Sequence, residues 1–271
     1  MSDTADIARE LLAARSKRQI LPASLTSRDP GFDMSAAYSV ERQLVDLRRA
    51  EGRSTIGRKV GYANKAAWRA LKLDTLVWAH MYDDTVRYAD GNAATLDIGR
   101  MVAPKIEPEI VFKLRAPLDG TSDPAVALDA VEWMALGFEI IDCVYPDWTF
   151  QPPDFVAAFG LHAALVVGEP RPMDPWSMPA LIGQLAQFTL QLSRNREVVE
   201  KGAGKNSLRS PALCLGELAG AISRRTADEP LSAGELVSSG TLTESRLIAA
   251  GESWTAVVDG IDLPPLTLRT T

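Results

Sequence analysis

Apolar residues in the first fifty positions recur at helical spacing. Ile7, Leu11 and Leu12 form one stripe, and Val40, Leu44 and Leu47 form another at i, i+4, i+7, the period that turns one side of a helix toward a core. Between them LPASLTSRDPGFD is rich in Pro, Ser, Gly and Asp, and Gly52 stands where a helix C-terminal cap belongs. The pattern predicts two helices joined by a loop, a small helical N-terminal segment over residues 1–53.

From about residue 54 the period shortens. STIGRKVGY, EIVFKL, GFEIIDCVY and HAALVVG are short β-favouring runs punctuated by Gly and Pro. Ser122-Asp123-Pro124 predicts the start of a helix running to about Leu136, with Gly137 ending it. A second helix begins at Ser210-Pro211 and carries Leu215, Leu218 and Ile222 on one face. FTLQLSRNREVV alternates and then turns near Arg194-Asn195, and WTAVVDGIDL contains Asp259-Gly260, a two-residue hairpin signal. Hairpins interrupted by single helices predict an α+β domain over residues 54–271, built on antiparallel or mixed sheet.

Composition narrows the function. With 46% hydrophobic and 24% charged residues, the chain matches ordinary folded proteins and has no stretch that reads as disorder. A net charge of −6 lacks the basic footprint that nucleic acid requires. No run approaches the roughly 20 apolar residues of a membrane span, and the N-terminus has no signal-peptide core, so a cytoplasmic protein is expected. Cys143 and Cys214, the only cysteines, sit in apolar surroundings and read as buried thiols. With His80 and His162 the only histidines, a metal would be held mostly by carboxylates.

The most informative string is Pro104-Lys105-Ile106-Glu107-Pro108-Glu109-Ile110-Val111-Phe112. Side chains at i and i+2 leave a strand on one face. Two carboxylates so directed repel unless a cation lies between them, a task for a hard divalent ion. Pro108 lacks an N–H, which places this strand at an edge or a bulge. Taken alone, the spacing equally fits a solvated strand face. Glu139, a lone carboxylate in LGFEII, adds weight, because buried carboxylates are rarely left unpaired. Three Glu oxygens and waters complete an octahedral Mg²⁺ or Mn²⁺ shell. Asp142 is an alternative ligand, three residues on and directed to the opposite face. Lys59, between Gly57 and Gly61, reads either as an ordinary strand lysine or as a substrate-binding or proton-carrying one. Asp83 and Asp84 read either as a solvated turn or as acid–base groups, and His80, with an intrinsic pKa near neutrality, as structural or catalytic.

GRKVG, WAHMYDDTV, PKIEPEIVFKL, VEWMALGFEII and SAGELVSSGTLTE occur in this order across most of the chain. Together they resemble the fumarylacetoacetate hydrolase superfamily, in particular its 2-keto-4-pentenoate hydratase and 4-oxalocrotonate decarboxylase branch. The resemblance implies a mixed β-sandwich roll flanked by helices and an acidic Mg²⁺ or Mn²⁺ site. It puts the metal on Glu107, Glu109 and Glu139, the strand lysine on Lys59, the acidic turn on Asp83 and Asp84, and a loop contacting the substrate carboxylate on Ser239, Gly240 and Thr241. The chain departs from the pattern at Ala79-His80 and at Gly160-Leu161-His162, which leaves the substrate open. The expected activity is addition of water to a 2-hydroxy-2,4-dienoate, giving a 4-hydroxy-2-oxo acid in aromatic catabolism. Alternatives are decarboxylation, tautomerisation or C–C hydrolysis of a related 2-oxo acid, or a non-catalytic partner subunit. A homo-oligomer is a family expectation, and exposed edge strands fit it.

Overall fold

The computed structural model describes residues 3–225 and 229–271. Helix α1 (Thr4–Ser16) begins where the Asp3 side chain accepts from the Ala5 N–H, and α3 (Met34–Ala50) where Asp33 accepts from the Ala36 N–H, each supplying an acceptor for an unpaired first-turn donor. The loop between them holds a single further turn, α2 (Leu25–Arg28). Ile7, Leu11, Val40 and Leu44 are buried, as the two stripes require. Gly52 has φ +79° just past α3.

The chain then runs β1 (Thr55–Gly61), α4 (Lys65–Leu71), β2 (Val77–Tyr82), β3 (Val86–Tyr88), β4 (Ala93–Leu96), β5 (Lys105–Leu114), α5 (Pro124–Asp129), β6 (Val131–Ile141), α6 (Pro152–Ala157) and β7 (His162–Val167). It continues with β8 (Arg171–Pro172), α7 (Met178–Gln187), β9 (Thr189–Arg194), β10 (Glu197–Ala203), α8 (Pro211–Arg225), β11 (Leu236–Ser238), β12 (Arg246–Leu247), β13 (Ser253–Asp259) and β14 (Leu266–Thr270). The larger sheet has the order β2-β1-β11-β5-β6-β7-β3, with β12 on β5 and β8 on β6; the second is β10-β9-β13-β14-β4. Both mix parallel and antiparallel pairs, as an α+β roll demands.

The larger sheet is curled. β2 and β3 lie at its opposite edges yet are joined by residues 83–85 alone, so the edges must meet. Alternation then decides what enters the roll. Register pairs Lys59 with Ser238, Ser238 with Val111, Glu107 with Glu139, Glu109 with Gly137, and Glu139 with Leu165, so these share the inner face. A small apolar cluster of Met81, Val111, Ala135, Leu165, Val167 and Leu236 fills the interior beside the carboxylates. The opposite face, with Phe112, Leu136 and Phe138, joins the main core with the helices and with Leu190, Leu192, Trp254 and Leu266 of the second sheet.

Three expectations are corrected. The helix predicted to reach Leu136 stops at Asp129, and Val131–Ile141 is a strand: pairing along the whole of β5 overrides the helix preference of Met134, Ala135 and Leu136. Gly137 is therefore no helix stop. It lies inside β6, where a Cβ would stand 2.5 Å from Val111 Cγ2. Pro108 lies in a central strand, not at an edge. Its carbonyl accepts from Leu242 N at 3.0 Å, so its missing N–H faces the same side, into the break between β11 and β12, and no ladder bond is lost. Asp259-Gly260 also does not make a two-residue hairpin. β13 and β14 pair only from Ala256↔Leu266 outward, and Gly260 (φ +97°) turns within the longer loop. The hairpin at Arg194-Asn195 is present as β9–β10. Cys143 and Cys214 are free and buried. Among the described residues no helix is long and apolar enough to cross a membrane.

Candidate metal centre

Glu107 and Glu139 face each other directly across β5 and β6, and Glu109 is one step diagonal to Glu139. One oxygen from each lies within 4.8 Å of the others, with Glu109 and Glu139 buried and Glu107 half-buried. The protein ties down one oxygen on each buried carboxylate and leaves the second free. Glu109 Oε2 accepts from Ser238 Oγ at 2.6 Å and from Gly240 N at 2.8 Å, while Oε1 is buried without a hydrogen-bond donor. Glu139 Oε1 meets His162 Nδ1 at 2.8 Å; Oε2 receives no hydrogen bond but stands 3.2 Å from Lys59 Nζ. Buried acceptors without donors are rare in folded proteins. Two of them beside a third carboxylate form an all-oxygen donor set that fits a hard divalent cation.

The electrostatics of the cluster are dominated by burial and mutual repulsion. Burial, against the pull of Lys59, pushes the Glu107 carboxyl up to about 7, with Glu139 adding repulsion. Burial followed by the charges of Glu139 and Glu107 raises Glu109 well above the ordinary carboxylate range. Glu139 is also penalised by burial, yet Lys59 and His162 hold it below that range. Lys59, fully buried, loses by desolvation and gains more from Glu139, Glu107 and Glu109, so its ammonium persists.

Lys59 Nζ donates to the Gly160 carbonyl at 2.9 Å. Phe159, Gly160 and Leu161 all have φ near +60°, at 60°, 58° and 57°, a run that non-glycine residues resist. A side chain at Gly160 would stand 2.9 Å from Lys59 Cδ, so the tight turn places this carbonyl against the ammonium. Phe155 covers the same ammonium, its ring centroid 4.8 Å away. At Gly57 a Cβ would stand 2.0 Å from the Leu236 carbonyl oxygen, so the glycine lets β11 close on β1.

The structure brings Lys59, Glu107, Glu109, Glu139 and the Ser239-Gly240 turn together. Gly240 N touches Glu109, and Ser239 Oγ is buried without a partner. Thr241 turns its hydroxyl onto its own loop, donating to the Thr243 carbonyl. The structure does not bring Asp83, Asp84 or His80 to the cluster. Asp83 and Asp84 are exposed, and Asp84 is held by both oxygens to Arg48 at 2.7 Å. His80 pairs across the ladder with Arg58 while Lys59 pairs with Ala79, so alternation sends the His80 ring to the outer face. Asp142 caps the Val102 and Ala103 N–H groups. It is no ligand here.

Sequence reading marked His162 only as a departure in the pocket lining, without its role, and missed Thr85 and Ser238. His162 lies between Glu139 and Thr85 Oγ1, its Nε2 2.9 Å from that hydroxyl, and so holds one Glu139 oxygen while the other faces the cluster. The available signal was a histidine opening the apolar run HAALVVG, where an imidazole needs polar partners.

Residues 57–267 match the family model described as "Fumarylacetoacetate (FAA) hydrolase C-terminal". The chain is 31% identical over 253 residues to a 2-hydroxyhexa-2,4-dienoate hydratase of Comamonas testosteroni, covering 92% of this chain and 90% of that protein. It is 29% identical to a 4-oxalocrotonate decarboxylase of a Pseudomonas species, covering 83% of each. The solved 4-oxalocrotonate decarboxylase from Pseudomonas putida G7, complexed with magnesium and adipate, superposes with a TM-score of 0.88 at 22% identity, covering 99% of this chain and 97% of that one.

Proposed function

The chain belongs to the fumarylacetoacetate hydrolase family, in its 2-keto-4-pentenoate hydratase and 4-oxalocrotonate decarboxylase branch of metal-dependent enzymes, and from that premise we propose that it hydrates a 2-hydroxy-2,4-dienoate to a 4-hydroxy-2-oxo acid. The observation that carries the metal reading is the pair of buried oxygens beside Glu107, Glu109 Oε1 without a donor and Glu139 Oε2 with only the Lys59 ammonium at 3.2 Å. We assign these three as the ligands of Mg²⁺ or Mn²⁺. Such an ion, when bound, would supply positive charge that favours the enolate form of a 2-oxo acid.

The chain's own residues do the rest. Hydration requires two proton movements: the 2-hydroxyl proton leaves as the terminal carbon, C5, gains one, and water then adds across C3=C4, hydroxyl to C4 and proton to C3. Lys59 is the group we assign to these transfers, since its ammonium touches Glu139 and is a donor at neutral pH. The Ser239 hydroxyl, buried and unpartnered next to the Glu109 clamp, is assigned to the substrate carboxylate. The Phe155 ring covers the Lys59 ammonium, and Lys59 is 1% exposed. Hydrolysis of a C–C bond ranks lower because both ring nitrogens of His162 are engaged, by Glu139 and Thr85, which leaves no imidazole nitrogen at the carboxylate cluster for water.

The test is direct. Purified protein with Mg²⁺ or Mn²⁺ is given 2-hydroxypenta-2,4-dienoate and loss of the diene absorbance is followed, with product analysis. A 4-hydroxy-2-oxo acid formed only with metal is the expected result. Release of CO₂ from a 2-oxo-enedioate without dienoate hydration would move the assignment to decarboxylation.

A further inference from the structure

The outer face of β2 carries a second buried histidine–glutamate pair that the metal centre does not use. Glu41, on α3, is 4% exposed and takes His80 at two points: the ring Nδ1 at 2.6 Å and the backbone N–H at 3.0 Å. This leaves His80 Nε2 as the free ring nitrogen. It opens into a cavity of about 940 Å³ between α3, β2 and the end of α8, bounded also by Tyr38, Trp78, Arg225 and Glu229. That volume suits a small-molecule site.

A stack of cations and rings runs beside the cavity, its Arg58 end paired with Glu235 at 2.6 Å. Four groups stack in sequence: the Arg225 guanidinium 4.4 Å from the Tyr38 ring, Tyr38 4.9 Å from Trp78, and Arg58 5.5 Å from the other ring of that pair, Trp78. His80 lies edge-on to Trp78 at 5.6 Å. Trp78 is 1% exposed and its Nε1–H has no acceptor in the protein, an uncommon state for a buried indole. Arg42, Arg49, Lys72 and Arg224 also line the cavity, against Asp46 and Asp74, with Arg224 paired to Glu217. One carboxylate is already drawn in: Glu229 Oε2 stands 3.9 Å from His80 Nε2, too far for a hydrogen bond.

We propose that this cavity is a second binding site, distinct from the metal centre, for a small organic carboxylate taken up together with a proton on His80 Nε2, so that the ring donates through Nδ1 to Glu41 and through Nε2 to the ligand, with Arg225 neutralising its charge. Glu41 keeps the imidazole protonated on Nδ1 and fixed in orientation, and Glu229 marks the path a ligand carboxylate takes to Nε2. The proposal does not rest on the hydratase reading, because His80 and Lys59 point to opposite faces of the sheet.

With two histidines in the chain, imidazole resonances assign from single variants. Succinate is titrated into Mg²⁺-loaded full-length protein and into Glu107→Gln, with succinamide as the uncharged control. We expect a saturable shift of the His80 resonance by succinate in both proteins, none by succinamide, and affinity about tenfold weaker in Arg225→Gln, as loss of one charge-assisted contact implies. Arg225 is at an exposed helix end, so this variant tests the site without burdening the core. A succinate shift confined to His162, one that vanishes in Glu107→Gln, or no saturable shift of His80 overturns the proposal.

Discussion

His162 shows how much a single buried side chain can decide. It holds one Glu139 oxygen at 2.8 Å and is itself oriented by Thr85 at 2.9 Å. Groups that orient metal-ligating side chains change metal affinity by about 10–100-fold when removed. His162→Ala is therefore expected to weaken Mg²⁺ or Mn²⁺ binding by that factor in a calorimetric titration. It should also destabilise the fold by about 2 kcal/mol in urea unfolding, since Glu139 Oε1 is left buried without a donor. Glu107→Gln removes a proposed ligand and should abolish the single binding site per chain. Binding of wild-type affinity in that variant would refute the triad. The E-x-E spacing was legible in the sequence, but the partner of each oxygen was not: Ser238 lies 129 residues from Glu109 in the chain, and no local pattern links them.

At the level of elements, alternation along strands sorted the candidates. GRKVG was readable as a strand flanked by glycines, and its inner face carries Lys59 while its outer face carries Arg58. Which face was inner depended on the curl of the sheet. The glycines make a testable contrast. Gly57→Ala puts a Cβ 2.0 Å from the Leu236 carbonyl oxygen, part of the backbone itself, so β1 and β11 must separate; a loss of about 3 kcal/mol is expected, at the upper end for overpacking. Gly183, inside α7, has nothing within 4 Å of an added Cβ. Gly183→Ala should stabilise by about 0.5–1 kcal/mol through helix propensity. Thermal or urea unfolding of the two variants checks both signs. β6 shows the limit of local reading: MAL favours a helix, and only pairing with ten residues of β5 made it a strand.

For the whole molecule, the carboxylate cluster links pH, metal and stability. Burial raises Glu107 from 4.5 to about 7 and raises Glu109 in the same direction. A carboxyl whose pKa is higher in the folded state binds protons more tightly when folded. Its contribution is complete below about 4.5 and is lost as pH rises toward 7. The metal-free protein should therefore show a falling thermal midpoint across that window, from these two groups, with Glu139 opposing because its shift is downward. Divalent metal reverses the penalty by binding the ionised form. The rise in midpoint on adding Mg²⁺ should be larger at pH 8 than at pH 6, and chelation should return the metal-free profile. A metal-induced shift independent of pH would contradict raised carboxyls at the site.

The amino-acid sequence determined the parts whose cause is local. Helical stripes in the first fifty residues, strand alternation after them, the Glu107-x-Glu109 pair, Glu139 in its apolar run and the glycines around Lys59 all follow from side-chain period and backbone sterics within a few residues. Tertiary structure decided what depends on contacts between distant segments. Closure of the roll through residues 83–85 set inside from outside, placing Lys59 with three carboxylates and turning His80 toward Glu41. It exposed Asp83 and Asp84 and brought His162 behind Glu139. It also gave Pro108 a central position, because the break between β11 and β12 lies where its absent N–H would have pointed. Charges of one sign gather in a low-dielectric interior only when the whole sheet holds them there, and no short stretch of chain carries that constraint.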